Sequence, residues 1–207
     1  MAIEYAKVLD AQSKEYSVIG NTEKGAVDFE KTINKKVILG GLEKWIEDNS
    51  KENYEFYKVI VVVNENLLGS ITKLLINTGF KDILVEKPGG LNLLEIRDVN
   101  SLAIAEKADI YIGYNRRFFA STLKVLELIK LDGGVTSFNF EFTEWGHIIK
   151  DLVKNEGVLE EWFLQNSSHV IDLAFFIGGE PIEMKSFVGG GSAWHPKGTV
   201  FSGAGIT

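Results

Sequence analysis

The chain has 207 residues, a formal net charge of −7, 45% hydrophobic and 25% charged residues, and no cysteine. That composition can bury a core, whereas a nucleic-acid binder needs a concentrated basic face to displace counterions, so a polyanionic partner is excluded. Disulfides and thiolate metal sites are excluded as well, and His147, His169 and His195 form no pair at metal-ligand spacing.

Read from the start, the segment 2–10 has helical periodicity, without the basic and apolar regions of a secretory signal. No apolar run nears the roughly 18 residues that cross a bilayer. The expectation is a cytoplasmic protein with no membrane partner. Strands are expected at 16–19, 37–39, 59–63, 83–85 and 109–112, alternating with helices whose apolar residues recur at helical spacing, such as Leu67, Ile71, Leu74 and Leu75. This alternation predicts a parallel sheet covered on both faces. The run VIVVV at 59–63 is apolar at every position, which places it near the sheet centre.

From Gly133 the period changes, because Phe138, Phe140 and Phe142 alternate with polar residues as in a half-buried strand. A second domain with a mostly antiparallel sheet is expected there. Its helices are read at 119–130, 148–155 and within 159–177, with Trp145, Trp162 and Trp194 packed beneath the sheet. The Gly-rich stretch 182–207 reads as strands joined by turns, and Gly189 to Gly191 lacks the Lys-Ser/Thr that would make it a phosphate loop. The expected partition is an incomplete doubly wound domain over 1–116, lacking its first strand and Gly-rich turn, then part of an α+β domain over 117–207. On this reading the chain is shortened at both ends.

Two segments carry chemistry. In ILVEKPGG, at 83–90, a strand delivers Glu86, Lys87 and Pro88 to its carboxyl end, where open α/β sheets bind ligands. Partial burial would lower the lysine pKa from about 10.4 toward the range useful for proton transfer; a salt-bridged surface turn is the plainer alternative. In QNSSHVIDLAFFIGG, at 165–179, His169 and Asp172 stand three apart and share one helical face. The aspartate could orient the imidazole or both could meet a substrate, whereas the alternative is a histidine at the edge of a satisfied core.

Three motifs together, VEKPGG at 85–90, GYNRRFFAS at 113–121 and SSHVIDL at 167–173, resemble the Gfo/Idh/MocA family of glucose-fructose oxidoreductase and inositol dehydrogenase relatives. The resemblance spans nearly the whole chain and implies a Rossmann-like first domain, an NAD or NADP cofactor, and hydride transfer between nicotinamide and a sugar, cyclitol or nucleotide sugar. It also points toward surface-glycan biosynthesis, and to homo-oligomers formed through the second-domain sheet. By the same resemblance, Lys87, His169 and Asp172 are the catalytic group, and Lys87 precedes a cis peptide to Pro88. Tyr114 and Arg117 join Lys87 and His169 against the substrate. Asn64, Glu65, Asn66, Glu86, Lys87, Pro88 and Asn115 line the cofactor, together with Asn21 and Thr22 after the first strand. Glu23 and Lys24 leave the choice between NAD and NADP open, since an acid favours the first and a base the second.

The sequence departs from the family pattern in two places. Gln165 stands four residues before the histidine, where many relatives carry aspartate, and no GxGxxG-like turn precedes the first strand. Losing two or three phosphate hydrogen bonds, at about 1.5–3 kcal/mol each, forfeits much of the roughly 8 kcal/mol that a micromolar ligand needs. The alternative to an enzyme is therefore a binding module or fragment of the same fold that cannot hold the cofactor. Calorimetric titration of this chain with NADH and NADPH is expected to give dissociation constants in the millimolar range; a low-micromolar value would show that the fold compensates.

Overall fold

The computed structural model describes residues 1–195 and 197–207, and the chain divides into two compact units, Met1–Tyr54 and Glu55–Thr207. Among the described residues no helix is long and apolar enough to cross a membrane.

The first unit holds α1 (Ala2–Ala11), β1 (Val18–Gly20), α2 (Glu23–Ile33), β2 (Val37–Leu39) and α3 (Gly41–Asp48), with β1 and β2 paired in parallel. Thr22 starts α2 by accepting the Gly25 N–H on its hydroxyl at 3.3 Å, which satisfies one of the donors that a helix start leaves unpaired. Ala26 and Phe29 are the buried residues of α2. Glu30 closes the helix-to-strand connection by accepting the Val37 N–H at 2.9 Å.

The second unit begins with β3 (Lys58–Val61), α4 (Leu68–Thr78), β4 (Asp82–Val85), α5 (Leu93–Glu106) and β5 (Asp109–Ile112). The strands form one parallel sheet in the order β3-β4-β5, in a register that aligns Val61, Val85 and Ile112. Ile83, Val85, Leu68, Leu75, Ile76 and Phe80 are the core between this sheet and its helices. Asn92 caps α5 by accepting the Glu95 N–H at 3.0 Å, and the Glu95 carboxylate reaches back to the Leu91 N–H at 2.6 Å. Gly69 lies so close to Glu95 that an added Cβ would meet its carboxyl carbon at 2.3 Å, so a side chain at 69 would have to displace the Glu95 carboxylate that accepts from Leu91. Beyond the sheet come α6 (Ala120–Leu131), α7 (Gly146–Ile149), α8 (Trp162–Gln165) and α9 (Ser168–Gly178), then the antiparallel hairpin of β6 (Glu183–Gly189) and β7 (Val200–Ile206).

The alternating strands and helices of the first half, and the antiparallel end, match the expected α/β architecture. Four expectations are corrected. The VIVVV segment is not central: β4 pairs on both sides and β3 on one. An all-apolar run reports that both faces of a strand are covered, which helices can do, and says nothing of how many strands flank it. Phe138, Phe140 and Phe142 form no strand. Phe138 and Phe140 each pack edge-on against Phe175 of α9, at 5.9 and 5.8 Å, and Phe142 stacks at 6.4 Å on Phe163. The alternation places the rings on one side without supplying a ladder partner. The helix expected at 148–155 is the single turn α7, and of the three tryptophans Trp162 is core while Trp145 is 68% exposed.

Leu75, 1% exposed on α4, tests the sheet-to-helix core: Leu75→Ala is expected to cost about 2–5 kcal/mol, read as a lower midpoint in urea unfolding. An unchanged midpoint would place the stabilising core elsewhere.

Candidate functional site

Because β3, β4 and β5 run parallel with Val61, Val85 and Ile112 in register, their three following loops leave the sheet at one edge. The first carries Asn64, Glu65 and Asn66, the second Glu86, Lys87 and Pro88, and the third Tyr114, Asn115 and Arg117. The chain is tied down there by backbone bonds from Glu86 N–H to Val61 O, at 3.0 Å, and from Gly113 N–H to Val85 O, at 2.8 Å. The Lys87–Pro88 peptide is cis, as the family resemblance implies. Gly89, at φ 94°, sits where a Cβ would strike the Ile112 side chain at 2.7 Å, so the turn after the lysine can lie against the sheet edge. Asn21 and Thr22 belong to the first unit, where Thr22 serves as the cap of α2.

Lys87 is not in a surface ion pair. Its ammonium donates to the Gln165 main-chain carbonyl at 2.5 Å, and burial lowers its pKa against the opposing pull of the Glu86 and Glu65 carboxylates. His169, near the start of α9, packs edge-on against the Tyr114 ring at 5.8 Å. Its Nδ1 is buried with no hydrogen-bond partner among the described residues. Burial, then the positive charges of Lys87 and Arg116, push its pKa below the ordinary 6.5, against the attraction of Asp172. The imidazole is therefore held toward its neutral form, able to take a proton. Burial raises the Tyr114 hydroxyl in turn.

Asp172 does not orient the imidazole by hydrogen bonding. Its carboxylate takes a bidentate pair from Arg117, Nε at 2.9 Å and a second bond from the other side of the fork. That pairing holds the guanidinium above its usual pKa. Arg117 also lies over the Phe176 ring, 4.8 Å from its centre. Three residues apart on a helix, His169 and Asp172 do share a face, but the arginine of the third loop reaches the carboxylate. The fork matches two oxygens at once, which a single imidazole N–H cannot do.

Around Lys87 the structure adds residues that sequence reasoning passed over. Arg116 makes no side-chain hydrogen bond or ion pair among the described residues, and its charge bears on both Lys87 and His169. The adjacent pair in NRRF signalled an arginine here but not which of the two is free. Lys154 donates to Glu65 at 2.8 Å, and Asn155 to Asn66 at 3.1 Å, so the segment after α7 is pinned to the first loop. Burial works to raise the Glu65 pKa, but the hydrogen bond from Lys154 and the charges of Lys154 and Lys87 outweigh it and the net shift is downward. Glu144 anchors the entry to α9 by accepting from Asn166, at 2.9 Å, and from the Ser167 hydroxyl, at 2.8 Å. Glu144 is far in sequence from both partners and had no local pattern to reveal it.

A double-mutant cycle of Arg117→Ala and Asp172→Ala, read by urea unfolding, is expected to give a coupling of about 1 kcal/mol. Charge-assisted bonds are worth more when dry, but the arginine side chain is 39% exposed and solvent screens it. Strictly additive losses would show that the pair contributes nothing.

No family model matches the chain, and no curated protein matches it. Solved structures do. A probable dehydrogenase from Thermotoga maritima is similar with a TM-score of 0.66 and 20% identity, over 92% of this chain and 55% of that one. The WlbA dehydrogenase from Chromobacterium violaceum, solved with NADH and UDP-GlcNAcA, gives a TM-score of 0.68 at 12% identity, over 91% and 55%. The scyllo-inositol dehydrogenase of Lactobacillus casei gives 0.60 at 16% identity, over 88% and 52%. The chain spans about half the length of each. Over that half, it has the fold of the Gfo/Idh/MocA-type dehydrogenases.

Proposed function

We propose that the chain carries the nicotinamide- and substrate-facing residues of an NAD(P)-dependent oxidoreductase acting on the hydroxyl or carbonyl of a sugar, cyclitol or nucleotide sugar. In this reading residues 1–116 serve the cofactor and 117–207 the substrate. The observation that carries the proposal is that Lys87, on a loop at the carboxyl edge of a parallel sheet, is bound at 2.5 Å to the Gln165 carbonyl just before α9, whose His169 packs at 5.8 Å on Tyr114 of the next loop. Burial draws Lys87 down toward neutrality and keeps His169 in its base form at neutral pH, which suits proton transfer. The proteins of similar fold support the substrate class: one was solved with NADH and a nucleotide sugar, and another is an inositol dehydrogenase.

The residues present fit the nicotinamide end of a dinucleotide. Three loops converge at the strand ends, where ligands of open α/β sheets bind, and the buried, unpartnered His169 Nδ1 leaves a polar atom with unused capacity beside them. Glu65, Asn66, Glu86, Pro88 and Asn115 would line that end, with Asn64 at the first strand's exit; Asn21 and Thr22 are assigned to the cofactor on the resemblance. When bound, nicotinamide supplies the hydride acceptor or donor. His169 takes the hydroxyl proton on oxidation and returns it on reduction. Lys87 has one ammonium hydrogen committed to Gln165 and the others free for the substrate oxygen. Asp172 holds Arg117 beside Tyr114, shaping the wall against which the substrate rests.

The pH dependence tests this assignment. The His169 pKa lies below 6.5, so the base form is present at neutral pH. Sugar oxidation measured at millimolar NAD or NADP is expected to fall only as pH drops through a value below 6.5. Lys87→Ala removes a neighbouring positive charge, so it should move that acid limb upward while lowering kcat about 100-fold or more, and His169→Ala should abolish the limb. Full activity in both variants would refute the assignment. Sugar binding without turnover in the intact chain would favour a binding module of the same fold.

A further inference from the structure

The turn that carries Lys87 is held from two sides. On one side Glu95, in the first turn of α5, accepts the Leu91 N–H at 2.6 Å. On the other, Gln165, the last residue of α8 and 3% exposed, donates its side-chain amide to two consecutive carbonyls. Nε2 meets Gly90 O at 2.9 Å and Leu91 O at 2.6 Å. The same residue's main-chain carbonyl receives the Lys87 ammonium at 2.5 Å. One residue thus grips both the backbone just after Lys87 and the end of its side chain, across 78 positions of sequence.

We propose that Gln165 is a positioning residue for Lys87: its amide locks the 88–91 turn against α8 and so sets its own carbonyl oxygen at the lysine ammonium. The chemistry of the side chain supports this directly. An amide nitrogen has two hydrogens to give and here meets two acceptors, whereas an ionised carboxylate has none and would oppose both carbonyls. The other end of the amide shows what is given up, since Gln165 Oε1 is buried with no partner among the described residues. An unpaired buried acceptor is destabilising, so the side chain is placed for what it donates. Gly89 and Gly90 are buried, and once the clamp is released the turn can lift and admit water to the lysine. Lys87 faces Glu86 of its own loop, Glu65 of the first loop, Lys154 after α7, Arg116 of the third loop and His169 of α9. None of these changes with residue 165, and burial is the largest influence on the ammonium. The inference holds whichever reaction the site performs.

The test is NMR on the full chain with 13C-labelled lysine, the Lys87 Cε signal being assigned through Lys87→Arg. In the parent chain the Gln165 side-chain amide protons are expected to exchange with solvent at least about tenfold more slowly than a free glutamine amide, a protection of about 1.4 kcal/mol. In Gln165→Met and Gln165→Leu, neither of which adds a charge, the Lys87 titration is expected to move up by about one unit toward its unburied value. A role confined to stability would lower the unfolding midpoint and leave the Lys87 titration where it was. Coincident Lys87 titrations in the parent and either folded variant overturn the proposal. Fast exchange of the Gln165 amide in the parent overturns it even if neither variant folds. Because no cofactor or substrate is added, these outcomes do not depend on the oxidoreductase reading.

Discussion

The in-register alignment of Val61, Val85 and Ile112 across three parallel strands is the constraint on which the candidate site depends. Parallel pairing forces each strand to end on the same side, so loops separated by some 25 residues of sequence emerge side by side. A one-residue slip of β4 would turn Val85 off its buried face and carry Lys87 away from its partners, since strand side chains alternate with period two. Ile83 and Val85, both fully buried, oppose that slip through the area they would expose. The accuracy of the site is thus inherited from core packing.

Electrostatics then divide the work among groups that lie close together. Lys87 and Arg116 keep His169 toward its neutral form, and burial acts in the same direction on both Lys87 and His169. Arg117, by contrast, is spoken for by Asp172, and Lys154 by Glu65. Of the cations gathered at this edge, two are therefore neutralised by carboxylates and serve as struts. Lys87 is bound through a neutral carbonyl and Arg116 makes no pair among the described residues, so these two keep their charge available to a ligand. The distinction follows from which side chains reach carboxylates, and adjacent residues such as Arg116 and Arg117 fall on opposite sides of it.

The fold was legible in the sequence wherever an element buries its own periodic face. The strand at 83–85, found as β4 with Ile83 and Val85 buried, and the helix α4, with Leu68, Leu75 and Ile76 buried, follow from local pattern, because hydrophobic burial on one face is a property of the segment itself. The expectation failed where structure depends on a partner. Phe138 and Phe140 alternate as a strand would, yet an alternation has to find a neighbour to hydrogen-bond, and the aromatic cluster with Phe175 claimed the rings instead. The VIVVV run likewise described its faces and not its edges.

For the site, the sequence by itself determined the chemical inventory: a lysine beside a proline at a strand end, a histidine and an aspartate one helical turn apart, and an asparagine-arginine loop. These are local facts, carried by residue type and spacing. Only the tertiary structure decided which of them meet. It gave Asp172 to Arg117, set Lys87 on the carbonyl of Gln165, and made of Gln165 a two-handed donor. The physical reason is that a hydrogen bond is decided within a few tenths of an ångström, between groups that can lie 55 to 78 residues apart, and spacing along the chain carries no information about that distance until the core has closed.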